Sequence, residues 1–564
     1  MCTTELNESS TASHDKKSVS AESNAEIPIS LDLEKIPAVV VMADQEAKDK
    51  YTFLQACGFN TMMMFGTGPF ISIPYCIHAT SPSGPQALIG YAIAAFGCAC
   101  DSLIWGELGS RFPLSGGSLV YLRKLYGEEN WGRLASFLYV WQFWITGPAE
   151  IASGFIAIAE YLAYIHGDSS YLTASCTAAS LLMITICLLY RRIDDIGRMT
   201  LVLWAVTIFA ITFTIIAGFI NFDHENLKLP SDAFDNTGRF VMSLSAACRF
   251  AIYDFTGYYD VCSMGAEVEN PRKTIPGSCI ITCLVVLVVF FATYIAVLGY
   301  LPWYGEEGFI QQLENGEVYI MGDFYDKMLG RGFAVFFVLI VCITIFGSVF
   351  SMITGMQYLP VRAAEDGIFF SWFGAKSEKH QGLPYNSLLT IGLLSFFWCW
   401  FSLETVIAAL TVMLVLVQFI GQSVGILVYR YAGVMKEEDP EAWKMPWFPY
   451  PAILQLMVFS FIYVTSDNYV ISGGEPMIEL SLAFILLGCG LYLAIAHNSS
   501  EWPFNNASLS VNVAIEEARI SCVVGCTPIG VSQSFDTKGS SVTDNVIFAR
   551  RSLDDTTPKA RAFE

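Results

Sequence analysis

Long apolar runs alternate with short polar connections along the chain, and most runs are long enough to cross a bilayer. A hydrocarbon core takes about 20 mostly apolar residues per helix. By that measure spans fall at 52–77, 85–108, 131–164, 171–190, 198–220, 240–265, 275–300, 331–358, 385–402, 404–430, 449–466 and 474–496. The pattern predicts an all-α polytopic membrane protein with twelve transmembrane helices. Residues 1–51 and 497–564 are polar and are expected to be largely disordered tails. The first of them has no basic stretch leading into a short apolar core, so no cleaved signal peptide is expected.

Composition sharpens this picture. Hydrophobic residues make up 54% and charged residues 15% of the 564, against roughly 45–50% and about 25% in soluble domains. The formal net charge of −21 argues against nucleic acid as a partner. Basic residues are retained on the cytoplasmic side of a membrane. With the amino terminus inside, the tails and alternate connections on that side hold 26 of the 31 Lys and Arg. The opposite side holds Lys228, Arg239, Lys327 and Arg331, and Arg249 falls within a span. Both termini are therefore predicted to be cytoplasmic, leaving the sequons at Asn7, Asn498 and Asn506 unglycosylated. The external loops 221–239 and 301–330 carry ten acids, read either as solvated surface or as a weak attractor of cations. Cys2, Cys522 and Cys526 lie in the tails, and the other thirteen cysteines lie in or beside apolar segments. There a reduced cysteine is a small hydrophobe. Neither a disulfide framework nor zinc-ligand spacing is present, and no metal or cofactor is expected.

Two spans carry breaks. Gly66-Thr67-Gly68-Pro69 interrupts the first, where two glycines and a proline propagate a helix poorly. Pro69 also suits the first position of a restarting helix. Tyr253-Asp254-Phe255-Thr256-Gly257 marks the sixth. Freed backbone groups at membrane depth must line a cavity or bind something. Spans one and six occupy corresponding places in two five-helix halves, 52–220 and 240–430, separated by the loop 221–239. Entry from opposite sides makes the halves inverted repeats, and paired breaks in such repeats point to a transporter's binding site. A plain kink is the alternative.

At this point the residues carry a family resemblance. Glu107-Leu108-Gly109, Phe112-Pro113, Gly116-Gly117, Tyr121 and Tyr126-Gly127 resemble the second-to-third helix connection of the amino acid–polyamine–organocation superfamily. Glu267-Val268-Glu269-Asn270-Pro271-Arg272-Lys273-Thr274-Ile275-Pro276 is similar to its signature after helix six. Pro360, then Arg362-Ala363-Ala364-Glu365-Asp366-Gly367, resembles the segment after helix eight. The resemblance covers roughly 52–496 and looks closest to the L-amino-acid and polyamine branches. It implies the leucine-transporter-type 5 + 5 inverted repeat with discontinuous helices one and six, and two added helices over 431–496. It further implies transport of amino acids, polyamines or related organocations by proton symport or exchange. Gly68-Pro69-Phe70 departs from the common Gly-Ser/Thr-Gly-Ile pattern and is similar to plant-type polyamine carriers. Heavy-chain-linked relatives use a cysteine between helices three and four. The connection His166–Ser170 has none, so no disulfide-linked heavy chain is expected.

Candidate site residues follow. Gly66, Thr67, Gly68, Pro69 and Phe70 form the first half of the site: N–H groups around Thr67 and Gly68, and those of the half-helix that Pro69 starts, would bind a carboxylate at a helix amino terminus. Tyr253, Asp254, Phe255, Thr256 and Gly257 would offer carbonyls to an α-ammonium, and the resemblance places Tyr253 as an aromatic gate. Ionisable groups within a membrane are costly and usually functional. Glu150, Asp254 and Asp101 are the candidates for proton coupling, with Asp260 as a further acid. Arg249 reads as an internal counter-charge. Glu107, Glu267 and Glu269 are expected to pair with Arg111, Arg272 or Lys273 near the cytoplasmic end. Ser348 and Ser351, with Thr354, are candidate cation ligands, although a proton or exchange is favoured over sodium. The leading reading is an amino-acid transporter of the plasma membrane, with an endomembrane as the alternative site. A polyamine proton symporter is the second reading, in which these acids pair with separated amines. A transport-inactive nutrient receptor is a third. No nucleotide-binding loop or nucleophile–base motif suggests an enzyme.

Overall fold

A computed structural model describes residues 50–504 apart from 66–67, 129, 168–169, 192–195, 307, 317–318, 377–382, 432–440, 467–475 and 500–501. Both predicted tails thus lie almost wholly outside the described residues. Nearly everything described is helical, and no strand occurs among the described residues beyond two isolated bridges, Tyr51–Val268 and Ser115–Met264.

The first predicted span is two helices, α1 (Phe53–Met64) and α2 (Gly68–His78). Thr52 starts α1 with a reciprocal cap, its backbone N–H donating to Gln55 Oε1 at 2.9 Å, which satisfies a donor the helix would otherwise orphan. Then come α3 (Ala87–Arg111), α4 (Ser118–Leu125), α5 (Trp131–His166), α6 (Tyr171–Arg191) and α7 (Ile196–Ile220). Gly167 closes α5 in the left-handed conformation, as a C-terminal glycine can without a Cβ clash. Next follow α8 (Thr237–Phe255), α9 (Pro271–Tyr300), α10 (Phe309–Glu314), α11 (Ile320–Leu329), α12 (Arg331–Met356) and α13 (Tyr358–Glu365). The last are α14 (Tyr385–Trp398), α15 (Leu403–Leu414), α16 (Gly421–Tyr431), α17 (Tyr450–Val464) and α18 (Met477–Ser499).

Seven described helical stretches are long and apolar enough to cross a membrane, and α14 and α17 are shorter apolar helices. Large apolar side chains such as Leu393, Leu486 and Val288 stand exposed on the outside, the inverse of a water-soluble surface and the arrangement a bilayer requires. Two details depart from the predicted spans. The sixth was drawn through residue 265, but α8 ends at Phe255 and short 3-10 turns at Asp260–Ser263 and Gly265–Glu267 follow. The tenth, drawn as one helix over 404–430, contains a π-helical turn at Val415–Ile420 between α15 and α16.

Packing sorts the helices into two groups. In one, α3 lies along α8 and α9, with α1 against α9 and α2 against α8. In the other, α5 is the central rod, touching α6, α12, α14 and α15. Bare glycines permit the close approaches. A Cβ on Gly109 of α3 would sit 2.4 Å from Ile275 Cγ2 of α9. In the last turns of α3 a charge network ties these parts together. Glu107 Oε1 accepts from Arg111 Nε at 2.8 Å and from Arg430 Nε of α16 at 2.9 Å, while Oε2 accepts from the Met445 N–H at 3.0 Å. The expected Glu107–Arg111 pair is present, and Arg272 pairs with Glu441 at 2.6 Å.

Candidate substrate site at the two helix interruptions

The two interruptions pack on one another. After α8 ends, Thr256 turns extended (φ −57°, ψ 139°) and Gly257 takes φ +116°, a conformation that only glycine adopts freely. A Cβ there would lie 3.0 Å from both Met63 Cβ and Met64 Cγ at the end of α1. The backbone freed beyond the break is satisfied by a side chain of the other broken helix. Asn60 of α1, fully buried, donates from Nδ2 to the Tyr258 carbonyl at 2.6 Å, and its Oδ1 accepts from the Val261 N–H at 2.9 Å. Buried backbone groups require partners of this kind. Asn60 is absent from the residues proposed from sequence, because its partners lie 198 and 201 positions away.

Of the helix-one candidates, Gly66 and Thr67 lie outside the described residues. Gly68 and Pro69 open α2, whose first turn therefore presents free N–H groups next to the break. A Cβ on Gly68 would come within 3.1 Å of the Phe290 ring and 3.8 Å of Asp254 Cβ. Phe70 is buried, and its carbonyl accepts from the Tyr161 hydroxyl of α5.

Tyr253 and Asp254 point to different groups of helices. The Tyr253 hydroxyl meets Ser153 Oγ of α5 at 2.9 Å, spanning the two groups beside the break. Ser153 was not anticipated; nothing distinguishes it in sequence from other small residues of α5. Asp254 faces the other way, into the space among α2, α3 and α9. Its Oδ2 accepts from Ser72 Oγ at 2.7 Å and from the Tyr91 and Tyr294 hydroxyls at 3.0 Å each. Its Oδ1 is buried without a partner, and no Lys or Arg pairs with it among the described residues. Phe255 packs at ring-centroid distances of 5.5 Å from Tyr91 and 5.9 Å from Phe290. Thr256 Oγ1 donates back to the Tyr253 carbonyl at 2.7 Å.

The remaining acids are dispersed. Asp101 of α3 accepts from the Tyr258 hydroxyl at 2.6 Å, and its Oδ1 has no partner. Glu150 is half-buried on α5, and its carbonyl accepts from Ser153 Oγ at 2.6 Å. Glu160 lies ten residues further along α5 and is half-buried. It shows the same sequence signal as Glu150, an acid within an apolar run, and belonged among the candidates. Arg249 is buried and donates to the Ser466 carbonyl at 3.4 Å. The two candidate cation ligands of α12 differ: Ser351 Oγ is bonded to the Gly347 carbonyl of its own helix at 3.0 Å, whereas Ser348 Oγ is buried with no partner. Among the described residues no cluster of His, Cys, Asp or Glu could hold a metal ion.

Two interrupted apolar helices braced against each other are the kind of arrangement from which membrane carriers build their substrate sites. Residues 51–493 match the amino acid permease family, and the chain belongs to it. Its relatives include an uncharacterized transporter of Mycobacterium tuberculosis, 24% identical over 62% of this chain and 72% of that protein. Cationic amino acid transporter 3, mitochondrial, of Arabidopsis thaliana is 23% identical over 70% of this chain and 64% of its own length. The human cystine/glutamate transporter is 23% identical over 57% of this chain and 62% of its own length. The chain thus spans under two thirds of the last two.

Proposed function

We propose that this protein is a secondary transporter that moves amino acids across a membrane by alternating access, coupled to protons or working by exchange. The observation that carries the reading is the mutual bracing of the two interruptions, Asn60 on Tyr258 and Val261 and Gly257 on Met63 and Met64, within an amino acid permease. In this reading the chain has twelve spans arranged as a 5 + 5 inverted repeat, with both termini cytoplasmic and the plasma membrane as its site. The α-carboxylate binds at the amino-terminal end of α2, where free N–H groups and the helix dipole favour an anion. The α-ammonium takes carbonyls from the last turn of α8. Tyr253 and Ser153 close the site from the α5 side. Asp254, Glu150 and Asp101 are the coupling carboxyls, and Asp254, bonded among α2, α3 and α9, acts through those helices. No disulfide-linked heavy chain takes part.

The test is uptake into proteoliposomes of a labelled amino-acid and polyamine panel, with proton and sodium gradients imposed separately. Amino-acid uptake driven by a proton gradient or by counter-substrate is the expected result. Uptake of polyamines alone would replace this reading with the polyamine one. Glu150→Gln is expected to flatten the dependence on external pH while substrate affinity changes by less than about threefold. An affinity loss of about two decades, restricted to cationic substrates, would show instead that Glu150 is a counter-ion in a low-dielectric cavity.

A further inference from the structure

A small cavity lies between α1, α7 and α12, beside the end of α1 and apart from the Asp254 cluster. Met62 of α1, Leu203, Trp204 and Thr207 of α7, and Thr344 and Ser348 of α12 are among the residues lining it. Three polar atoms of this lining are buried with no hydrogen-bond partner: Trp204 Nε1, Thr344 Oγ1 and Ser348 Oγ. The other lining hydroxyl, Thr207 Oγ1, is satisfied within α7 by the Leu203 carbonyl at 2.9 Å. Thr344 and Ser348 are only 2% and 3% exposed. Burying unpaired donors and acceptors costs free energy for each group, and three around one cavity call for a common partner. The space open to the centre of a water-sized sphere is about 10 Å³, near the lower end of the ~10–15 Å³ that one water needs by that measure.

The chemistry of the three groups selects the occupant. Indole Nε1 is a donor only, whereas each hydroxyl both donates and accepts. A water can accept from Trp204 and donate to Thr344 and Ser348, giving it three bonds, the usual complement of a buried water. A bare cation would face the positive end of the indole N–H. We propose that this cavity is a binding site for a single water molecule, held by Trp204, Thr344 and Ser348, which pins α7 to α12 beneath the Met62 side chain of α1. The site does not take sodium, so Ser348 serves the water and not a coupling cation. This inference holds whichever substrate the chain carries, and it touches coupling only by removing Ser348 from the candidate cation ligands.

The test uses the purified full-length chain in detergent and reads thermal stability. Trp204→Phe and Ser348→Ala should each lower the midpoint by about 1–3 °C, the size of one lost hydrogen bond in a large domain. Because both act through one shared water, the double variant should be no worse than the poorer single variant by more than about 1 °C. Ser348→Ala with Thr344→Val forms a second cycle of the same kind should Trp204→Phe fail to fold. Replacing choline with sodium should leave the wild-type midpoint unchanged. An experimental density map should show one peak about 3 Å from all three atoms. Full additivity in either cycle, no loss in any variant that folds, or a midpoint raised by sodium would each overturn the proposal.

Discussion

Glu107 and Asp254 are both buried carboxylates, 0% and 1% exposed, on neighbouring helices of the same packing group. Their surroundings are opposite. Glu107 sits in the last turns of α3 with two guanidinium groups and a backbone N–H around it. Asp254 sits at the helix interruption with three neutral hydroxyls on one oxygen and nothing on the other. A carboxylate matched by two guanidiniums is fixed in place, because moving or removing it would strand buried cations. A carboxyl matched by hydroxyls can gain or lose a proton without stranding a counter-charge, and the hydroxyls can turn to donate or accept. The first arrangement ties helices together through charge, and the second through neutral hydrogen bonds that leave one oxygen unused.

Breaking the fixed member should have the largest effect. Glu107→Ala leaves Arg111 and Arg430 without their shared acceptor, and removing one partner of a buried pair costs about 3–5 kcal/mol. Little folded protein should survive detergent extraction, as judged by size-exclusion chromatography; a normal monodisperse yield would show that the network is ornamental. Gly68→Val comes next. Its side chain would press on the Phe290 ring and approach Asp254 Cβ, so uptake should fall at least about tenfold, about 1.4 kcal/mol or more in the barrier, while expression persists. Wild-type uptake by this variant would move the substrate site away from α2.

Asp254→Asn tests the other member. The amide keeps the shape and can still meet the three hydroxyls, so stability should change by no more than about 1 kcal/mol. If uptake requires the protonated carboxyl, wild-type uptake falls as external pH rises, and the variant should instead be flat across the same range. A wild-type pH profile in Asp254→Asn would return this acid to a structural role. The smallest effect is expected from Arg430→Lys, which keeps the charge but loses the planar fork and its stacking 4.3 Å from the Phe448 ring. A midpoint lowered by about 1–3 °C, with uptake retained, would place the weight of the network on charge. A collapse equal to that of Glu107→Ala would place it on geometry.

The same comparison shows what could be read from the chain beforehand. Gly66 to Pro69 announces its break, because glycine and proline act on their own backbone and need no partner. Arg111 pairs with Glu107 as a local i, i+4 contact, visible as spacing along a single helix. Arg430 was not foreseen as its second partner, since 323 residues separate them. Asn60 is hidden for the same reason: a lone amide in an apolar run has no signature until its partner strand of backbone is in place. The orientation of Asp254 was also illegible. Its position beside the break marks it as a site residue, and only the packing shows that α8 turns Tyr253 toward α5 and the next residue toward α2, α3 and α9. Sequence marks where a polar group lies along a helix, while packing decides which neighbour it serves.

The π-helical turn at Val415–Ile420 carries a consequence for the phase of everything beyond it. Such a turn holds one residue more than ordinary α geometry would, so α16 emerges rotated relative to a simple continuation of α15. Each residue of an α-helix turns its successors by about 100°. Excising one residue from this turn would let α15 and α16 merge into one uninterrupted helix. It would also swing Gln422 away from Ser118, where its Nε2 now donates at 3.0 Å, and Arg430 away from Glu107. The carbonyl of Gly421 would leave the Tyr126 hydroxyl, which donates to it at 2.6 Å. A single codon lost from this turn should therefore resemble the Glu107→Ala variant in chromatography, although the carboxylate and both arginines remain in the chain.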